Sequence, residues 1–165
     1  MAIELFGDYV GFVMPNSYTC LHYHVIFSTK NRVPLIEPAL RARLHEYLGG
    51  IIRDNDGRLL AAGGTADHVH LLIGCHPRTA LSDLLCQVKG SSSKWIHETF
   101  ATLTGFEWQD GYGAFSVSFS NMNQVKRYLA GQEEHHRRVT FQEEFVEFLK
   151  RHAIPYDERY IWKGS

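Results

Sequence analysis

At 165 residues, with 44% hydrophobic and 21% charged side chains, the chain is expected to fold as one soluble domain with a core of its own. It holds no run near the ~20 apolar residues that span a bilayer and no basic segment leading into an apolar run at its start, so a cytoplasmic protein without membrane contact is expected. A formal net charge of −1 excludes a molecule coated in positive field, and any nucleic-acid surface has to come from local clustering of the 17 lysines and arginines.

Residues 1–16 show no clear periodicity. After Met14-Pro15-Asn16-Ser17, aromatic and β-branched residues predict a first strand over Tyr18 to Ser28. A basic turn, Lys30-Asn31-Arg32, leads to Leu40, Leu44, Leu48, Ile51 and Ile52, a spacing that predicts a helix from Pro38 to Arg53. Asp54-Asn55-Asp56-Gly57 is a turn signal, and two strands follow, Leu59 to Ala66 and His68 to Ile73. His76-Pro77-Arg78-Thr79 closes this unit, with Thr79 as the expected N-cap of a second helix through Glu98. Trp108 to Phe119 alternates around Gly111 and Gly113 as a glycine-loosened strand. Ser120 or Asn121 then caps a third helix to about Arg138, and a shorter helix, Gln142 to His152, precedes an aromatic tail ending at Trp162. The order βαββαβ with extra C-terminal helices is the split βαβ, ferredoxin-like α+β arrangement, whose first and third strands pair at the centre of an antiparallel sheet.

The ten histidines are a compositional excess, and six fall in tight pairs at 22/24, 68/70 and 135/136. His68-Val69-His70 lies inside an apolar run. Strand alternation sets both imidazoles on one face, about 7 Å apart along the ladder, where they can grip a divalent ion and leave its other positions open. The plainer reading is a pair of hydrogen-bonded core histidines. On the third helix, Met122, Val125 and Leu129 form an apolar stripe, while Tyr128 and Gln132, four residues apart, project from one face. Tyrosine suits phosphodiester attack because its phenolate leaves more readily than an alkoxide, which keeps a covalent intermediate reversible. The Gln132 amide oxygen can join the ion held by His68 and His70, leaving room for phosphate oxygens on Mg²⁺ or Mn²⁺. Taken singly, Tyr128 reads by default as an interfacial aromatic and Gln132 as a solvated helix residue.

Four motifs occur in one order: His68-Val69-His70 after a glycine-containing strand; Gly111-Tyr112-Gly113-Ala114-Phe115-Ser116-Val117-Ser118; Val125-x-x-Tyr128-x-x-x-Gln132-x-x-His135-His136; and Tyr156-Asp157-Glu158-Arg159-Tyr160. Together with the opening His22-Tyr23-His24-Val25-Ile26-Phe27-Ser28-Thr29-Lys30-Asn31-Arg32, this set resembles the small single-tyrosine HUH transposases of bacterial and archaeal insertion sequences, the TnpA type. The resemblance covers roughly residues 14 to 162. It implies a transposase that cuts and rejoins single-stranded DNA, with Tyr128 as nucleophile and His68, His70 and Gln132 as ligands of Mg²⁺ or Mn²⁺. Attack leaves a 5′-phosphotyrosine and a free 3′-hydroxyl that later attacks another such linkage. It further implies recognition of hairpins at element ends and a homodimer in which active sites can be shared between protomers. Residues 1–13 are then an N-terminal extension from an upstream start, and 14–165 the transposase domain.

Other features carry weaker expectations. His22 and His24 are a rival pair, expected to pack in the sheet or to orient a ligand beside the first and third strands. Glu133-x-x-His136 has di-iron spacing, but a single copy outside a four-helix pattern does not make such a site. His135 and His136 with Arg137-Arg138 suit a helix C-terminus or a phosphate contact. Lys30, Arg32, Lys89, Lys94, Arg127, Arg137 and Arg138 are the candidate DNA contacts, and binding through them should weaken with salt. Trp108, Tyr112 and Phe115 are expected in the core, with base stacking as the alternative. Cys20, Cys75 and Cys86 read as buried, reduced thiols. Ser91-Ser92-Ser93 lacks the partners of a nucleophile. Gly131, beside Gln132, costs about 1 kcal/mol in a helix relative to alanine and is either a tolerated surface residue or a point of mobility. Two functions of other classes compete: a domesticated hairpin-binding protein that no longer transposes, and a metal-binding structural or regulatory dimer.

Overall fold

The computed structural model describes residues 5–6, 9–10, 12–14 and 17–162, with side chains from Tyr18 onward. Before the main fold, Leu5–Phe6 pairs with Tyr9–Val10 and Phe12–Met14 with Ser17–Thr19, each antiparallel. Of the expected extension 1–13, residues 1–4, 7–8 and 11 lie outside the described residues. The predicted first strand divides: Ser17–Thr19 belongs to the second of these ladders, and the sheet strand proper, β1, is His22–Ser28.

From β1 the chain runs through α1 (Pro38–Asp54), β2 (Gly57–Gly64), β3 (His68–Cys75), α2 (Leu81–Thr99) and β4 (Gly113–Ser116). The sheet is antiparallel with order β2-β3-β1-β4, the ferredoxin-like arrangement. The last strand is shorter than its alternation suggests, and Trp108 forms only an isolated bridge to Thr29. Thr79 does not cap α2. Its hydroxyl donates to the Asn55 carbonyl at 3.4 Å, and Ala80 holds the N-cap position without a side-chain bond.

Every residue of β3 is buried, because both faces of the sheet are covered. Val69, Leu71 and Ile73 point to one face, where Leu40, Leu44, Leu48 and Ile52 of α1 and Leu84, Leu85, Val88 and Ile96 of α2 close the main core. Their neighbours His68, His70 and Leu72 point the other way, together with His24 and Ile26 of β1. That second face is covered by α3 (Met122–Ala130), the short α4 (Gln132–His135) and α5 (Phe141–Arg151). Here Ile26 and Phe115 pack against Phe141 and Leu149 of α5. A capping box between Thr140 and Glu143 starts α5. Among the cysteines Cys75 is buried, whereas Cys20 and Cys86 are exposed, contrary to the expectation from their apolar surroundings.

Two glycines set how α3 sits. Gly63 lies opposite His70 in the β2–β3 ladder. A Cβ at Gly63 would lie 2.2 Å from the Leu129 carbonyl oxygen, so the backbone of α3 rests directly on the sheet beside His70. Gly131, at φ −95° and ψ 9°, interrupts the helix that the sequence suggests is continuous to Arg138. Its N–H is shared between the Arg127 and Tyr128 carbonyls at 3.2 Å each, and the chain restarts as α4.

Gly63→Ala is expected to destabilise the fold by about 1–3 kcal/mol, since neither backbone can yield. Gly90→Ala, a helical position where a Cβ meets nothing within 4 Å, should stabilise by about 0.5–1 kcal/mol. Urea unfolding of the two variants measures both signs.

Candidate active site

The two imidazoles of β3 are held from behind. His68 Nδ1 lies 2.7 Å from Asp67 Oδ1, and the Thr65 hydroxyl donates to the same oxygen at 2.9 Å. His70 Nδ1 lies 2.9 Å from His24 Nε2, so the rival pair supplies an orienting partner. Each ring is therefore left with Nε2 on its far side, and the ring centroids are 5.1 Å apart. His136, just past α4, is fixed in the same sense: its Nδ1 is 2.9 Å from the Val139 carbonyl. A carbonyl only accepts, so Nδ1 carries the proton and Nε2 presents a lone pair.

Facing these nitrogens is Glu144 of α5, 4% exposed. Its Oε2 lies 3.2 Å from His70 Nε2 and 3.3 Å from His136 Nε2. One ligand atom from each of His68, His70, His136 and Glu144 falls within 4.8 Å of all the others. That spread suits donors placed ~2.0–2.2 Å from one ion. The Nε2 atoms of the three histidines, Glu144 Oε2 and Gln132 Oε1 are all buried without a hydrogen-bond partner. Buried polar groups are ordinarily paired, so the unpartnered atoms of His68, His70, His136 and Glu144, gathered in one place, fit a cation.

Electrostatics agree. Burial, reinforced by the neighbouring imidazoles, holds His70 well below the ordinary histidine value. Burial and His68 bring His136 to about 4, while burial and His152 bring His24 to about 4. Burial would push Asp67 up, but its hydrogen bonds to His68 and Thr65 outweigh that and leave it lowered. Glu144, pushed by burial to about 8, is the exception that keeps a proton at neutral pH while no cation is bound.

Tyr128 meets the cluster from α3. Its hydroxyl donates to Glu144 Oε1, and the Gln132 amide nitrogen donates to the same oxygen at 3.1 Å. The tyrosine ring stands edge-on to His70 and His24, at centroid distances of 6.0 and 6.1 Å. Tyr128, Gln132, His68 and His70 thus all gather around Glu144, with Gln132 buried rather than solvated. A cleft of about 370 Å³ between α3 and α5 opens onto Tyr128, lined also by Gln124, His135, Glu147 and Arg151.

Glu144 is the residue that sequence reading missed, and His136, expected at a helix C-terminus or a phosphate contact, joins the cluster. Phe141, Glu144, Phe145, Phe148 and Leu149 follow the i, i+3, i+4 stripe of a helix whose apolar face is buried, and a carboxylate inside such a stripe is the signal that could have revealed it.

The candidate DNA contacts are more dispersed. Lys30 pairs with Glu107 at 2.5 Å, Lys94 with Glu98 at 3.9 Å, and Arg137 and Arg138 with Glu134 at 2.8 and 3.2 Å. The Arg32 guanidinium lies 5.5 Å from the Trp162 ring centroid, and Arg127 is exposed. Lys89 donates to the Gln109 and Gly111 carbonyls at 2.6 and 2.9 Å, bracing the loop before β4. Trp108 and Phe115 are in the core, while Tyr112 is 42% exposed.

Residues 17–132 match the family model described as "Transposase IS200 like". The chain belongs to this IS200-like transposase family. It is 26% identical over 119 residues to the ISDra2 transposase TnpA of Deinococcus radiodurans, covering 69% of this chain and 85% of that protein. It is 28% identical over 118 residues to the transposase for insertion sequence element IS200 of Salmonella typhimurium, covering 68% and 76%. A solved Deinococcus radiodurans R1 structure described as a candidate transposase superposes with a TM-score of 0.60 at 27% identity, covering 73% of this chain and 98% of that one. The structure of a REP-associated tyrosine transposase bound to a REP hairpin superposes with a TM-score of 0.56 at 14% identity, covering 78% and 76%, a likeness of fold. Among the described residues of this IS200-like transposase, no helix is long and apolar enough to cross a membrane.

Because the cluster must lose the Glu144 proton to bind a cation, its affinity for Mn²⁺ should rise with pH and level off above about 8. Calorimetry at pH 7 in buffers of different ionisation enthalpy should show about one proton released per ion.

Proposed function

We propose that this IS200-like transposase cuts and rejoins single-stranded DNA through Tyr128, with Mg²⁺ or Mn²⁺ held at His68, His70 and Gln132. The observation that carries this reading is the link through Glu144. The tyrosine hydroxyl donates to one carboxylate oxygen while the other stands 3.2 Å from His70 Nε2, so nucleophile and imidazole pair form one site within one chain.

The chemistry follows from that placement. Tyr128 Oη attacks the scissile phosphorus, a 5′-phosphotyrosine bond forms, and the P–O3′ bond breaks. The departing 3′ oxygen takes up a proton in exchange for the one the phenol gives up, and a later 3′-hydroxyl reverses the step on another strand. The cation supplies Lewis-acid stabilisation of the charge on the phosphate oxygens. Asp67 and His24 hold the imidazoles so that their Nε2 atoms face that position. Tyr128 and Gln132, on either side of the break at Gly131, both reach the buried carboxylate.

The substrate is single-stranded DNA with hairpins at the element ends, consistent with the hairpin-bound relative of the same fold. The contacts are drawn from Lys30, Arg32, Lys94, Arg127, Arg137 and Arg138, and the protein acts as a homodimer. Exposed pairs such as Arg137–Glu134 contribute little in water, so a phosphate can replace the carboxylate at small cost, and hairpin affinity should fall steeply with salt.

With Mn²⁺ and labelled single strands from the DNA flanking its gene, the wild-type protein should form a covalent adduct that survives a denaturing gel. Tyr128→Phe should abolish the adduct while leaving hairpin binding within a few-fold of wild type. His68→Ala should likewise retain binding and lose cleavage. An adduct of undiminished yield from Tyr128→Phe would refute the nucleophile.

A further inference from the structure

The family match ends at Gln132, and both further groups at the imidazole pair lie beyond it. His136 follows α4, and Glu144 sits on α5, which the match does not include. Neither is a surface residue that drifts into range. Glu144 is 4% exposed and its Oε2 has no hydrogen-bond partner, although Oε1 accepts from both Tyr128 and Gln132. His136 Nε2 is equally unpartnered, with the ring locked by the Val139 carbonyl.

Apolar packing accounts for α5 itself but not for this carboxylate. Phe141 and Leu149 dock the helix on Ile26 and Phe115, and an aliphatic residue at 144 would extend that stripe without burying a carboxyl group against imidazole nitrogens. A buried carboxylate opposite three imidazole nitrogens is a poor packing element and a good set of donors.

Resting on the proposed reading that a cation is bound at His68 and His70, we propose that His136 and Glu144 complete its protein ligands, so that the cation clasps the C-terminal helix α5 onto the sheet. One carboxylate then serves two purposes: Oε2 reaches the ion while Oε1 holds the Tyr128 hydroxyl and the Gln132 amide. The nucleophile and the metal of the same chain are thereby registered to each other through α5. The donor set also selects the ion. Three imidazoles, one carboxylate and the Gln132 amide oxygen favour a first-row transition ion over Mg²⁺, which prefers an octahedron of oxygens and gives up its water reluctantly.

The test is Mn²⁺ binding to the full-length protein after chelator treatment, followed by calorimetry and by amide hydrogen exchange. Wild type should bind one Mn²⁺ and hold it at least tenfold more tightly than Mg²⁺. E144Q and H136A should each weaken Mn²⁺ binding by on the order of 10–100-fold, a loss comparable with or larger than that seen on removing outer-shell partners of metal ligands. The unmutated protein needs no folding control: adding Mn²⁺ should slow exchange in residues 144–151 of α5. Unchanged Mn²⁺ affinity in E144Q, or α5 exchange indifferent to Mn²⁺, overturns the clasp while leaving the His68–His70 site standing. Full Mn²⁺ affinity in the double variant H68A/H70A overturns the underlying metal reading instead.

Discussion

The site depends on one constraint: β3 is covered on both faces. A strand with one wet face could carry His68 and His70 as ordinary solvated residues, and their imidazoles would titrate and turn freely. Here the odd members of the strand, Val69, Leu71 and Ile73, are sealed by α1 and α2, and the even members are sealed by α3 and α5. Burial keeps His70 neutral and therefore a lone-pair donor. It also makes each unsatisfied nitrogen costly, which is why Asp67, His24 and the Val139 carbonyl each hold an Nδ1. The nitrogens left over are aimed at one place because their other sides are all tied down.

How much of this could be read beforehand differs from element to element, for physical reasons. The sheet topology was legible because α1 and the strands carry clean periodicity, and Leu40, Leu44, Leu48 and Ile52 are the residues α1 buries. His68, His70, Tyr128 and Gln132 could be singled out by strand alternation and by i, i+4 spacing, both local properties of the chain. The helix break at Gly131 could not, because glycine is compatible with a helix and only tertiary packing selects the alternative. Strand length at β4 failed similarly: alternation from Trp108 to Phe119 describes a pattern of burial, but only Gly113–Ser116 finds a ladder partner in β1. Cys20 and Cys86 sit among apolar neighbours in sequence and are exposed, since burial is decided by face and not by neighbourhood. Glu144 was hidden most thoroughly, because a glutamate in a helix is by default a solvated one.

Charge distribution bears on how a polyanion could approach. Glu143, Glu144 and Glu147 line the cleft beside Tyr128, where a phosphate would have to come close. Arg151 lines the same cleft, so an approaching phosphate meets both signs of charge there. A cation at the imidazoles would offset the Glu144 carboxylate, and Lys30, Lys94, Arg137 and Arg138, outside the cleft, sit in exposed pairs with Glu107, Glu98 and Glu134. Such pairs are weak and readily exchanged. The arrangement thus sets carboxyl groups where a cation would sit and exchangeable basic residues outside it, which reconciles a net charge of −1 with a nucleic-acid substrate.

Two dockings fix Tyr128 against the imidazoles, and they use different chemistry. Gly63 admits the backbone of α3 onto the sheet opposite His70, so the tyrosine helix is located by close contact of main chain with main chain, which yields little. The helix α5 is located by a stripe of aromatic and aliphatic side chains, which tolerates small shifts. Glu144 joins the two, with Tyr128 and Gln132 on one oxygen and His70 and His136 facing the other. A change that moves α5 therefore alters the partner of the tyrosine hydroxyl and the surroundings of the imidazoles together, whereas a change confined to the main core behind β3 reaches neither except by unfolding the sheet. The sensitivity of this site to distant substitution is accordingly expected to lie in the C-terminal third of the chain, on the face where the sheet meets α5.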